Sequence, residues 1–284
     1  MNSKSKTIIF ISAYDAGLHT SEGYIIRQFL ARIPKTFHVI LLTRKNNVEA
    51  LRAANEVAKF QCSVSLLAYE LPKSVSWWKK GPRGYGLYSY LWQLTWPLVI
   101  YKRRKFLKNI AFFHVFNFHN DSIPHLAWIL SKKTIWGPIN HNEQMESWRF
   151  NGMTRQVRYK HLIRSQIRKL QWRFDPFLAA SVKKSSLILS SGHWVDHRLR
   201  LHKRQNYKRL SQLGSFGTSR VAIQDMTPRS LRLITAGRLD LIKGNDLAID
   251  ALALLPKEIS LTIVGDGYLK PKLQKQTDQL SSNT

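Results

Sequence analysis

At 284 residues, 44% of them hydrophobic, the chain is long enough for two domains of ordinary size with real cores. Its single cysteine, Cys62, excludes an internal disulfide, which suits a reducing, cytoplasmic compartment. The polar start before a short apolar run at residues 8–12 does not read as a signal peptide. The formal net charge is +28, yet residues 231–284 carry seven Lys/Arg against six Asp/Glu, so the excess lies in the first 230 residues. A field of that sign attracts phosphate-rich partners: an anionic membrane face, a lipid phosphate or nucleic acid.

In chain order, residues 7–12 read as a strand, 13–20 as a loop containing Gly17, and 21–33 as a helix stopped by Pro34. A strand at 37–43, a helix near 48–59 and a strand at 63–69 follow. This alternation predicts a doubly wound parallel sheet. Residues 77–105 break the pattern. Tyr85–Tyr101 is uncharged and rich in aromatic residues, and it is fenced by Lys79, Lys80 and Arg83 before and residues 102–105, all basic, after. It is too short and too interrupted by Gly86 and Pro97 to span a membrane. It fits either an interfacial element with Trp and Tyr at headgroup level or a core helix with a wet basic end.

A strand at 112–118 and the loop His119-Asn120-Asp121 precede a predicted helix at 122–130. A strand at 134–137 opens into Pro138-Ile139-Asn140-His141-Asn142-Glu143, polar groups at a strand end where open sheets place ligands. Residues 154–184 predict one long basic helix, whose stripe of Tyr159, Ile163, Ile167, Leu170, Phe174 and Phe177 is expected to face the core. A strand at 186–190, a short helix at 192–199 and a strand at 209–213 end the first domain. That domain is expected over 1–215, with a linker at 216–230 and a second domain over 231–284.

The second domain is the most informative stretch. Residues 231–236 are a short apolar run ending at Gly237, and Gly237-Arg238-Leu239-Asp240 turns the chain. Lys243-Gly244-Asn245-Asp246 then starts a helix, carried by Leu247, Ala251 and Leu254 and stopped by Pro256. Residues 259–264 form a second strand and Gly265-Asp266-Gly267 a second turn. A basic pair in a loop is usually plain surface charge. Arg238 and Lys243 each stand beside a glycine at a strand mouth and helix start, which points to a phosphate site. The Gly265–Gly267 turn alone is a weak signal.

The run TAGRLDLIKGNDLAIDALALL followed by LTIVGDGYLKPKL resembles the nucleotide-sugar-binding half of family 4 glycosyltransferases. The likeness covers about the last fifth of the chain and implies two Rossmann-like domains of the GT-B type, the second incomplete. It implies that Gly237, Arg238 and Lys243 hold the donor diphosphate, that Gly265, Asp266 and Gly267 lie by the nucleoside, and that His141 stands near the donor sugar and acceptor. The same likeness places Ser21-Glu22 where the family carries adjacent glycines, with Gly23 one place late; Gly17 or Gly23 could still allow close backbone approach. Two glutamates, one of which contacts the donor sugar and ribose, would lie beyond residue 284, so the resemblance implies either a truncated chain or one that a partner completes.

The implied activity is retaining transfer of a sugar from a nucleotide-sugar to a glycan or lipid-linked acceptor, as in polysaccharide biosynthesis, at the inner face of the membrane. No cofactor is expected, and the chain has no Asp-x-Asp, so the usual metal–diphosphate bridge lacks ligands. The alternative is a non-catalytic relative that binds an anionic membrane or phosphate. Nucleic acid is the weakest partner, because no binding motif or basic–aromatic repeat occurs.

Overall fold

A computed structural model describes residues 6–81, 83–102, 107, 109–116, 121–140, 147–150, 153–211 and 231–282. The chain divides into two compact units, residues 1–143 with 156–215, and residues 144–155 with 216–284. The excursion 144–155, which leaves the first run of chain to join the second unit, was not foreseen in a division at 215.

The first unit is built on seven strands: β1 Thr7–Ala13, β2 Phe37–Thr43, β3 Ser63–Ala68, β4 Ile110–Phe116, β5 Thr134–Ile139, β6 Leu187–Ser190 and β7 Tyr207–Arg209. All pairings are parallel, in the order β3-β2-β1-β4-β5-β6-β7. Alternation along the central strands splits the apolar residues between two cores. Phe10, Ile40, Leu42, Phe113 and Trp136 face one side, while Ile9, Ile11, Val39, Leu41 and Phe116 face the other. Helix α1 (Ser21–Leu30) covers the second side with Ile26 and Leu30, and α2 (Lys45–Ala53) adds Leu51. A short α3 spans Lys73–Ser76.

Helix α4 (Tyr85–Tyr101) resolves the aromatic run: it covers the first side of the sheet. Trp92 and Trp96 are fully buried, and Trp96 stacks on Phe10 with centroids 5.5 Å apart. Both indoles stay satisfied, Trp92 Nε1 donating to the Tyr69 carbonyl at 2.9 Å and Trp96 Nε1 to Gln93 Oε1 at 3.2 Å. The run is a core helix. Of the basic cluster after it, residues 103–105 lie outside the described residues.

Four further expectations need correction. Residues 122–130 form no helix beyond a single 3₁₀ turn at Ala127–Ile129, and the strand at 134–137 continues to Ile139. The long basic helix is two: α5 (Arg155–Phe174) and α6 (Pro176–Lys184). Asp175 breaks it, its carboxylate accepting from the amides of Phe177 and Leu178, with Pro176 opening the next helix. The apolar stripe of α5 also faces outward: Tyr159 is 66% and Phe174 68% exposed, with Ile163, Ile167 and Leu170 exposed between them. Arg168 turns inward instead and is buried. Helix α7 (His193–Arg198) completes this unit.

In the second unit β8 (Arg232–Ala236) pairs in parallel with β9 (Ser260–Val264). Helices α8 (Asn245–Leu252) and α9 (Lys270–Ser282) bury Leu239, Leu241, Ile249, Leu269 and Leu273 with Phe150 and Met153 from the excursion. Arg149 fastens the excursion through Asp246, with Nη1–Oδ2 at 2.9 Å and Nη2–Oδ1 at 3.0 Å, and donates to the Leu241 carbonyl at 2.7 Å. The opposite sheet face is open to solvent, with Ile234 73% exposed.

Two histidines are wholly enclosed in the first unit. Burial holds His114 down at about 4, against the opposing pull of its 2.7 Å bond to the Gly137 carbonyl, and burial holds His125 at about 3. Both fold neutral, whereas in the unfolded chain they titrate near 6.5. The unfolded state therefore binds more protons below about pH 6.5, so stability is full above that value and falls as pH drops towards about 4. The loss should approach about 1.4 kcal/mol per pH unit for each histidine. Urea unfolding across that window checks it, and a flat profile would contradict the buried neutral imidazoles.

Candidate functional site

The second unit gathers its glycine turns on one rim. The Gly237 amide donates to the Val264 carbonyl at 2.9 Å, the Leu239 amide to the Asp266 carbonyl at 2.8 Å, and the Leu269 amide to the Leu239 carbonyl at 3.1 Å. The two turns thus lie backbone on backbone. A Cβ on Gly265 would fall 1.9 Å from the Gly237 carbonyl oxygen, and one on Gly267 2.4 Å from that of Leu239. Only glycine permits that approach. The second turn clamps the first, and the chain between β8 and α8 is held as a set loop.

Arg238 and Lys243 project from this loop. The Arg238 side chain is 77% exposed and touches Asp240, Nη2 to Oδ2, at 3.1 Å. With its guanidinium end in solvent, the pair is only partly shielded and can exchange. Lys243 is exposed, with Cε 3.8 Å from where a Gly237 Cβ would stand. Gly244, at φ 68°, turns the chain into α8, whose N-terminus adds the positive end of its dipole. Asp266 is exposed on the same rim, with Lys270 Nζ 3.9 Å away. Gly237, Arg238, Lys243, Gly265, Asp266 and Gly267 therefore come together on the loop that leads into α8, with two cations beside a helix start, an arrangement suited to an anion.

Of the remaining expected site residues, the structure describes Gly23, which belongs to the first unit. Gly23 lies in the first turn of α1, where Thr20 accepts from its amide at 3.0 Å. A Cβ there would fall 1.8 Å from the Gly17 carbonyl oxygen, so the missing side chain already serves packing between helix and loop. Arg27 ties the same loop down, donating to the carbonyls of Gly17 at 2.6 Å and Leu18 at 2.9 Å. Glu22 is half-buried and accepts from the Ser21 hydroxyl at 2.6 Å. His141, and His119 in the loop after β4, lie outside the described residues.

A second polar cluster was missed from the sequence. It sits in the first unit just past the carboxyl ends of β1, β2 and β3, where parallel sheets place ligands. Glu70 accepts from Arg44 Nε at 3.3 Å, from the Lys45 amide at 3.0 Å and from the Tyr88 hydroxyl. The Arg44 guanidinium lies over the rings of Tyr14 and Tyr88 at 5.3 and 5.7 Å, and Tyr85 meets Tyr14 edge-on at 5.6 Å. Burial pushes Tyr88 up to about 12, helped by its bond to Glu70, and raises Tyr14 and Tyr85 as well, so all three stay neutral phenols. A carboxylate, a guanidinium and neutral phenols can bind hydroxyl-rich ligands. The available signal was position: Tyr14 and Arg44 each directly follow a strand.

The seven-stranded parallel unit and the second β–α–β unit are each Rossmann-like, the two units of a GT-B fold with the second incomplete. The chain is similar to the lipopolysaccharide outer core galactosyltransferase WaaB in its apo form, with a TM-score of 0.51 and 12% identity, over 96% of this chain and 65% of that one. It is also similar to HepE of Anabaena, solved in complex with UDP and glucose, with a TM-score of 0.48 and 12% identity, over 97% of this chain and 66% of that one. The chain thus spans just under two thirds of the length of both. At this identity the likeness is one of fold. No protein-family model and no curated protein matches the chain.

Replacing Gly265 by Ala should cost about 1–3 kcal/mol, because the new methyl meets backbone that cannot swing aside. Gly86→Ala is the control: no atom lies within 4 Å of the added Cβ, and it should be neutral or stabilising. Equal denaturation midpoints for the two variants would remove the clamp.

Proposed function

We propose that the chain is a glycosyltransferase, retaining and independent of metal, that moves a sugar from a nucleotide-sugar donor to a glycan or lipid-linked acceptor. The observation that carries this reading is the clamped pair of glycine turns with Arg238 and Lys243 on one rim. Arg238 would exchange Asp240 for a diphosphate oxygen, and Lys243 would add a second cation. As the sugar–oxygen bond breaks, charge grows on the leaving diphosphate, and cations already in place stabilise it without reorganising. The Gly265–Gly267 turn would border the nucleoside. By the family resemblance His141 would stand near the donor sugar and acceptor. The Glu70–Arg44–Tyr88 cluster is a candidate for acceptor hydroxyls.

One observation favours a second reading, a non-catalytic relative that binds phosphate or an anionic membrane. Glu22 places a half-buried carboxylate in the first turn of α1, where the resemblance expects glycine near a diphosphate. Sugar transfer from a panel of nucleotide-sugars separates the two, since the second reading allows binding without turnover.

Arg238→Ala and Lys243→Ala should each weaken nucleoside-diphosphate binding by about 1–3 kcal/mol, the worth of a hydrogen bond to a charged group. Calorimetry with UDP and GDP measures it. Unchanged affinity in both variants would remove the donor-site assignment.

His141→Ala should lower sugar transfer with little change in UDP affinity, and addition of EDTA should leave transfer intact. Loss of transfer on EDTA treatment would overturn metal independence.

A further inference from the structure

Helix α5 is amphipathic in the reverse sense to a globular surface helix. Tyr159, Leu162, Ile163, Ile167, Leu170 and Phe174 form its exposed stripe, at spacings of three, four and seven residues that keep them on one face. Its inward side holds the buried Arg168 and the half-buried Trp172, with the Arg198 guanidinium 4.4 Å over the Trp172 ring. Among residues 155–174 there are seven Lys/Arg and no Asp or Glu. Arg158, Lys160, Arg164 and Lys169 are exposed along the two borders of the stripe, and the Arg173 guanidinium lies 5.6 Å over the Phe174 ring.

We infer that α5 is an in-plane membrane anchor, its apolar stripe inserted among acyl chains and its bordering cations set on anionic lipid phosphates. Charge complementarity selects this occupant. A bilayer is apolar within and phosphate-bearing at its surface, in the same order as the stripe and its borders. Nucleic acid presents phosphates without an apolar layer, and would leave Ile167 and Leu170 facing water. The helix, about 30 Å long, lies along the surface: no helix among the described residues is long and apolar enough to cross a membrane. The end of α5 is fixed to the unit, since Asp175 accepts from the Tyr90 hydroxyl of the core helix α4 at 2.7 Å and Leu178 of α6 is buried. Inserting the stripe would hold the whole first unit against the bilayer. This assignment stands apart from the donor turn and does not need it.

The test is co-sedimentation of the full chain with phosphatidylcholine vesicles, with and without phosphatidylglycerol. Binding should need the anionic lipid and weaken with salt, because surface attraction is screened over about 10 Å at 0.1 M. The pair Ile167→Glu and Leu170→Glu should lower partitioning about 100-fold, the loss of two inserted apolar side chains. Its circular dichroism should match the parent, and Ile167→Ala with Leu170→Ala is a milder version that should also weaken binding. Changing Arg158, Lys160, Arg164 and Lys169 to Gln should remove the salt-sensitive part. Failure to sediment with anionic vesicles at low salt, or unchanged binding by the glutamate pair, would overturn the anchor. A stable dimer that the same pair dissociates would also overturn it, by making the stripe an interface between copies.

Discussion

A parallel sheet must be covered on both faces, because its strands carry apolar side chains on each, and the rest of the first unit follows from how that demand is met. Phe10, Ile40 and Leu42 point one way while Ile9, Val39 and Leu41 point the other. Helices α1 and α2 take one side. Helix α4 takes the other, and its indoles fill the layer above Phe10 and Phe113 while their N–H groups find Tyr69 and Gln93. An aromatic run that resembles an interfacial segment is therefore consumed by the core. An exposed apolar face lies on another helix instead.

That helix is α5. With Trp172 among the groups packed on the core, the helix turns its apolar stripe away from it. Asp175 and Pro176 end it and start α6, whose Leu178 returns to the core. The large positive charge of the first 230 residues has a local expression here, in seven cations along one helix without a carboxylate. Their placement beside exposed Leu, Ile and Phe gives the charge a chemical meaning that a net value lacks.

The glycine–cation turn rests on a different constraint, direct backbone contact. Gly265 and Gly267 have no room for side chains because the carbonyls of Gly237 and Leu239 occupy that space. The hydrogen bonds between the turns then set the loop from which Arg238 and Lys243 project. Arg149, reaching from the 144–155 excursion to Asp246 and the Leu241 carbonyl, braces the same helix start from the other side of the chain's connectivity.

The amino-acid sequence by itself determined the alternation of strands and helices, the parallel sheet and the glycine–cation turn. All of these are local: apolar runs of strand length, helix stops at Pro34 and Pro256, and glycines beside basic residues at strand ends. Tertiary structure decided what periodicity cannot see. Tyr85–Tyr101 and the α5 stripe both carry apolar residues enough for a buried face, and only the available sheet surface assigned one to the core and the other to solvent. It also decided that Gly23 is spent on packing against Gly17, that residues 144–155 belong with the second unit, and that Glu70, Arg44 and Tyr88 meet. Each joins residues distant in sequence or depends on which of two faces is already filled, and burial is set by that competition rather than by the pattern of any one segment.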